Sequence, residues 1–450
     1  MQRQSTRRDF LRQSTAVAAG AALVGSGLAR AQSPNERVRF ACIGVGGKGT
    51  SDTNDAGTHG EIVALCDIDE KRLDLMAAKY PNAKKYVDYR KMLDELGEKI
   101  DAVTVSTPDH SHAPASVQAM RMGKHCFTQK PLTWSIEEAR LMRTLAAEKK
   151  LVTQMGNQGT AQSGFRSGVE LIRSGAIGPI KEIHVWTNRP IWPQGISRSD
   201  KSVPVPSHVH WDEFVGPAPM RPYTGAYHPF NWRGWLDYGT GALGDMACHT
   251  INVAAYALNL FDPISAEVLD TSGIVDNETY PVWSIIKTNF GERDGRPPLS
   301  LTWYDGGKNL PEEKKAYAKL LEGKKTGASG LLLIGEKGSF YSVNDYGAEH
   351  ILLPESDFKD IQIPEPTLPR APKNNHFLEW VEGIKENDPK KPMSNFDYAG
   401  RLTETVLLGV VALRAGGKVE WDGPGMKVTN NPDANQYIKR DYRKGYSIHA

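Results

Sequence analysis

The 450-residue chain is poor in cysteine, in charge of one sign and in long apolar runs, and each shortage removes a class of protein. Its four cysteines, Cys42, Cys66, Cys126 and Cys248, form no C-x-x-C, so neither a zinc knuckle nor a thioredoxin-type redox pair is written here. Three of them sit in apolar strand-like runs, and all four read as buried thiols. Lys and Arg number 55 against 53 Asp and Glu, which leaves no basic footprint for nucleic acid. No segment supplies the roughly 20 apolar residues of a membrane span. The N-terminal apolar run, Thr15 to Leu28, is diluted by Gly20, Gly25, Ser26 and Gly27.

That run reads instead as part of a targeting signal. Arg7 and Arg8 precede it, followed by Asp-Phe-Leu, and Ala29-Arg30-Ala31 has the small-x-small pattern a signal peptidase cuts after. The paired arginines resemble a twin-arginine signal, the bacterial route that exports folded proteins. Residues 1–31 are therefore expected to be a signal peptide, 32–37 a linker, and the destination the periplasm or cell exterior. Removing the signal takes away five arginines and one aspartate, moving the formal charge from +2 to −2. The remaining chain of about 420 residues exceeds what one core usually serves, so two domains are expected.

Apolar runs at Val38 to Val45, Ile62 to Ile68, Ala102 to Ser106, His125 to Thr128 and Leu151 to Met155 alternate with helical patterns such as Glu70 to Lys79 and Ile136 to Glu148. This alternation predicts a doubly wound parallel sheet of the Rossmann type over residues 38–155. Gly44-Val45-Gly46-Gly47-Lys48-Gly49 fits G-x-G-x-x-G; it follows the first strand and opens a helix, and Asp67 ends the second strand 23 residues after Gly44. Glycines there let backbone approach a pyrophosphate at a helix N-terminus, and the acid binds a ribose. Asp67 repels a 2′-phosphate, which favours NAD over NADP.

The next strands end in "STPDHSHAP" (106–114) and "HCFTQKPLT" (125–133). Strand carboxyl ends line the ligand crevice of such sheets, so polar residues there are site candidates by position. Thr107, Pro108, His110, His112, Gln129 and Lys130 join the glycine turn and Asp67 as candidate cofactor contacts. His110 and His112 read equally as caps for the following helix.

Together "GVGGKG", "CDID", "TPDHSHAP" and "QKPL" resemble the Gfo/Idh/MocA family of oxidoreductases, which includes glucose-fructose oxidoreductase and inositol dehydrogenase. The resemblance continues through "RSGAIGPIKEIHVWTNRP" (173–190), "GTGALGDMACHTIN" (239–252), "HFLEWVEGI" (376–384) and "KVEWD" (418–422). It implies a second α/β domain built on a large, open, mostly antiparallel sheet, here residues 156–432. It also implies a catalytic lysine at Lys130 and an acid-base pair at Asp245 and His249. The family's motif is usually Glu-Lys-Pro, whereas this chain has Gln129-Lys130-Pro131.

Read from the residues, Asp245 and His249 stand four apart on an expected helix and project from one face. No third ligand stands at a recognisable spacing, so no metal site is expected. In the mechanism these parts imply, His249 takes a hydroxyl proton, Asp245 holds its ring and Lys130 stabilises the developing alkoxide. Residues 186–235 hold five of the ten tryptophans among many prolines. So long and aromatic a segment reads as a binding loop for a carbohydrate or polyol, or as an arm packing on a neighbouring subunit. Asn157, Trp192, Trp232, Arg233 and Tyr304 are the candidate substrate contacts. Residues 433–450 read as a charged exposed tail or a subunit-clasping arm, and the open sheet suggests a homodimer or homotetramer. The expected function is hydride transfer between a sugar or polyol carbon and a tightly bound nicotinamide. An NAD-dependent glycoside hydrolase and a non-catalytic sugar-binding protein are the alternatives.

Overall fold

Six short strands form one parallel sheet: β1 (Val38–Ile43), β2 (Gly60–Cys66), β3 (Lys84–Tyr86), β4 (Ala102–Val105), β5 (His125–Thr128) and β6 (Thr153–Met155), in the order β3-β2-β1-β4-β5-β6. The computed structural model describes residues 37–449 apart from Lys325, so the expected signal peptide lies outside the described residues. β4 and β5 are buried along their whole length, as strands with helices on both faces require. The helices between them are α1 (Lys48–His59), α2 (Glu70–Lys79), α3 (Tyr89–Leu96), α4 (His112–Arg121) and α5 (Ile136–Glu148). Their starts are written locally. The Asp69 carboxylate accepts from the Lys71 amide at the head of α2, and Ser135 with Glu138 forms a reciprocal capping box on α5. β3, "KKY", shows two exposed lysines and has no apolar pattern to announce it. It is an edge strand, held by its pairing with β2.

The second sheet has nine strands among the described residues: β7 (Ile180–Trp186), β8 (Pro263–Thr271), β9 (Ser284–Phe290), β10 (Leu299–Tyr304), β11 (Gly330–Gly335), β12 (Ser339–Ser342), β13 (His350–Leu353), β14 (Lys418–Asp422) and β15 (Lys427–Val428). Their order is β13-β12-β11-β7-β10-β9-β8-β14-β15. β7 and β10 pair in parallel and the other neighbours are antiparallel, so the fold is the one expected: a Rossmann sheet beside a mostly antiparallel one. The apolar stretch Gly330 to Tyr341 is a hairpin of β11 and β12, folded at Glu336–Gly338.

Helices α6 (Ser163–Arg173), α7 (Gly241–Thr250), α8 (His376–Glu386) and α9 (Phe396–Ala415) complete the body. α8 comes from late in the chain yet packs on the first sheet, its Phe377, Trp380, Val381 and Ile384 against Phe40 of β1 and Phe127 of β5. α9, buried along most of its twenty residues, touches α5, α7 and β8. It thereby couples the first sheet to the second. The C-terminal tail is anchored on this same chain, while its lysines and aspartates stay exposed as expected. The Arg440 guanidinium lies 4.1 Å from the Trp134 ring and donates to the carbonyls of His110 and Asp237. Tyr442 donates to Glu138 at 2.8 Å, and Ile448 is fully buried. A charged composition misleads here because its arginines and tyrosines find partners on this same chain.

Candidate active site

The strand order reverses between β1 and β4, and a cavity of about 490 Å³ opens at the carboxyl edge there. Position in the sheet accounts for it: helices from β1 and β4 depart to opposite faces and leave a crevice. Gly44, Gly46, Gly47, Lys48, Asp67, Thr107, Pro108, Gln129, Lys130, Trp192, Trp232, Arg233, Asp245 and His249 all line it.

The glycine turn is shaped by close approach. Gly44 has φ +77°, and a Cβ there would stand 2.6 Å from the Ser106 carbonyl oxygen. A Cβ on Gly49 would fall 1.7 Å from the Gly44 oxygen, so Gly49 serves the packing of α1 on the turn and does not reach the cavity. Gly47 opens α1 with no side-chain cap, which leaves the helix N-terminus free for an anion. Asp67 is 8% exposed, and its carboxylate faces the turn: Oδ2 accepts from the amides of Val45 and Gly46 at 2.9 and 3.1 Å, and Oδ1 from that of Asp69 at 3.0 Å. Burial pushes its pKa up while these amides oppose the shift. A backbone cradle that a side chain would fill, a bare helix N-terminus and an acid at the end of β2 fit a dinucleotide.

Lys130 leaves the end of β5, and its Nζ donates at 2.8 Å to both Oδ1 and the backbone oxygen of Asp245. Arg233 Nε reaches the same Oδ1 at 3.3 Å. Burial opposes ionisation of Asp245, but the charges of Lys130 and Arg233 prevail and hold its pKa down to about 2. His249 stands one turn further along α7, beside the Tyr346 ring at 5.3 Å. Among the described residues no hydrogen bond joins it to Asp245, and its buried Nδ1 has no partner. The expected Asp245–imidazole contact is therefore corrected: the carboxylate is taken by two cations. Burial, reinforced by the nearby Lys130 charge, pushes the His249 pKa down to about 3.

His249 stays neutral above about pH 4, so it adds no acid limb near its ordinary 6.5. His249→Asn should lower kcat by a similar factor at every pH from about 6 to about 9, as read from paired pH–rate profiles. A limb near 6.5 that vanishes in the variant would contradict this geometry.

Five other sequence candidates lie elsewhere. His110 is fully buried, with Nε2 2.9 Å from the Phe214 oxygen. His112 lies with its two nitrogens 2.8 and 2.9 Å from the carbonyls of Pro131 and Thr107. It ties together the two strand exits that carry Thr107 and Lys130 without facing the cavity. Asn157 is fully buried, accepting from Ser394 and donating to the Cys248 oxygen. Tyr304 packs in a separate aromatic cluster with Trp186 and Tyr317, and the neighbouring Trp303 donates to Asp305 within the core. Gly49 is the fifth. Of the five tryptophans in residues 186–235, Trp192 and Trp232 line the cavity; Trp235 belongs to the segment's own core, as do Phe214, Tyr227 and Tyr238.

Sequence reasoning missed Tyr346, Asp345, Gln158, Arg189 and Asp109, all cavity residues. Asp345 and Tyr346 come from the turn between β12 and β13, with nothing local to mark them. Asp109 stands inside the quoted "TPDHSHAP"; it accepts from Thr240 at 2.7 Å, and burial raises its pKa to about 7.

Residues 38–157 match the family model described as "Oxidoreductase family, NAD-binding Rossmann fold", and residues 181–296 match that of the same family's C-terminal alpha/beta domain. Together the two matches span more than half of the chain. The chain belongs to the Gfo/Idh/MocA oxidoreductase family. A levoglucosan dehydrogenase of Pseudarthrobacter phenanthrenivorans is 28% identical over 185 residues, 41% of this chain and 39% of that one. A glycosyl hydrolase family 109 protein of Akkermansia muciniphila is 34% identical over 156 residues, 32% of each chain. The alignments thus span about a third to two fifths of these curated relatives. The WlbA dehydrogenase of Chromobacterium violaceum, solved with NADH and UDP-GlcNAcA, shares the fold with a TM-score of 0.60 at 17% identity, over 86% of this chain and 97% of that one.

Proposed function

We propose that this family member is an NAD-dependent oxidoreductase acting on a carbohydrate or polyol hydroxyl, with the cofactor held tightly between turnovers. The observation that carries the reading is the convergence of Lys130, Asp245 and His249 on the cavity that also holds the glycine turn. The names of the dehydrogenase relatives support the substrate class. Bound NAD would accept the hydride of the reacting carbon. Lys130, paired with Asp245, donates to the substrate oxygen and stabilises it as its proton leaves. His249 accepts that proton and releases it to solvent through the open cavity, since an imidazolium so close to Lys130 is costly. Trp192 and Trp232, with Arg233 stacked 4.3 Å over Trp232, offer a flat apolar wall and a donor for a sugar ring.

Tight cofactor retention is supported by a strap from the second domain. Residues 206–230 cross the turn after β2: the Glu70 amide donates to the His208 carbonyl, and the His210 amide donates to that of Ile68, both at 2.8 Å. His210 reaches Glu70 at 2.7 Å and His228 lies 3.4 Å from Asp69. This roof stands over the acid expected to hold the adenosine ribose. Retention suits export by the twin-arginine route, because free dinucleotide is scarce outside the cytoplasm. Arg7→Lys with Arg8→Lys should block that export. Exposed Ile264 and Leu269 on β8 are apolar material for the proposed homodimer or homotetramer.

The test is to carry the purified protein through gel filtration, assay bound NAD, then supply glycosides and polyols while following nicotinamide absorbance and aglycone release. Retained NAD that becomes reduced without release supports the dehydrogenase. Release without net reduction supports the hydrolase reading, which the family 109 relative favours. No reduction and no release with any sugar or polyol overturns both.

A further inference from the structure

Gln129 precedes Lys130 at the exit of β5, and its side-chain amide meets a buried carboxylate on α1. Asp52 is 2% exposed. Its Oδ2 accepts from Gln129 Nε2 at 2.8 Å and from Ser106 Oγ at 2.7 Å, while Oδ1 accepts from Lys48 Nζ at 2.8 Å. The three donors come from the first residue of α1 itself, the exit of β4 and the exit of β5. The Gln129 amide is boxed in, since a Cβ on Gly156 would stand 2.5 Å from its carbonyl carbon. Lys48 and Gln129 both line the cavity, and Lys130 is the next residue.

We infer that Asp52 is a positioning residue: its carboxylate fixes Lys48 and the Gln129–Lys130 exit around bound cofactor. The inference rests on the reading that this crevice holds NAD. The amide at 129 is then required by the chemistry. A glutamate there would set two carboxylates within hydrogen-bond distance in a buried site, and one of them would have to take up a proton. A glutamate at 129 should therefore harm this protein.

Gln129→Glu, purified at about pH 6 and shifted to about pH 8, should retain less than about a tenth of the wild-type NAD through gel filtration and lose at least about tenfold in turnover. Both should recover as the pH is lowered again, because the introduced carboxyl, once protonated, donates to Asp52 as the amide did. The exchanged pair, Asp52→Asn with Gln129→Glu, puts an acceptor at 129 and a donor at 52. It should restore retention to within about threefold of wild type and remove the pH dependence. Wild-type retention by Gln129→Glu at both pH values, or an exchanged pair no better than Gln129→Glu alone, would overturn the assignment. Cofactor retention needs no substrate, so a loss confined to Gln129→Glu supports Asp52 even if no sugar is turned over. A wild-type protein that binds no NAD defeats the cofactor reading first and this inference with it.

Discussion

Lys130→Ala is expected to lower turnover by about a hundredfold or more while the protein stays folded, the usual scale for losing one positioned charge donor at a developing oxyanion. The side chain links the exit of β5 to the first turns of α7 through two 2.8 Å bonds to Asp245. Removing it leaves Asp245 with Arg233 at 3.3 Å as its remaining cation, so the carboxylate stays ionised but less firmly held. It also removes the charge that disfavours an imidazolium, so the His249 pKa should rise from about 3. Burial, the larger cause, remains, so the rise is partial. Near-normal turnover with saturated cofactor would sink the role of Lys130. Thermal unfolding of the variant separates loss of chemistry from loss of fold, because breaking a buried ion pair also costs stability.

A marked loss of stability on mild acidification is the second large effect. Burial holds His110 and His249 at about 3 and His112, His125, His228 and His376 at about 4. Between about pH 6.5 and 4 the unfolded chain binds protons at these six positions and the folded chain does not. Stability therefore falls as pH falls, by up to about 1.4 kcal/mol per pH unit for each group. Asp109 and Asp305, raised to about 7 by burial, act in the opposite sense over much of this range, and other buried carboxylates such as Glu138 soften the slope at its acid end. Six groups outweigh two over the upper part of the range. Calorimetry should show Tm dropping steadily from about pH 7 to about pH 5. A constant or rising Tm over that interval would contradict the buried neutral histidines.

Whatever depended on neighbours in the chain was legible in the sequence. The strands of the first sheet, the starts of α2 and α5 and the glycine turn follow from apolar runs, side-chain caps and the lack of a Cβ, all properties of a few adjacent residues. β3 escaped because pairing with β2 makes "KKY" a strand, not its own composition. The Lys130, Asp245 and His249 set was nameable from its motifs, and Asp245 and His249 needed only helical spacing to share a face.

Who faces whom was not local. Asp245 meets Lys130 across 115 residues of sequence, and that contact, not the i, i+4 neighbour, takes its carboxylate. His110 and His112 stand in a motif at a strand exit, yet packing turns their nitrogens toward backbone carbonyls. Tyr346 reaches His249 from a turn of the second sheet, and residues 208–210 pair with the turn after β2 from a distant part of the chain. The same holds for charge: a histidine has one ordinary pKa in any sequence, and only burial beside Lys130 moves that of His249 to about 3. Sequence determined most of this protein's elements, its family and its candidate site residues, because backbone preference acts over a turn or a strand. Tertiary structure decided their partners and protonation, because desolvation and Coulomb interaction depend on distance in space.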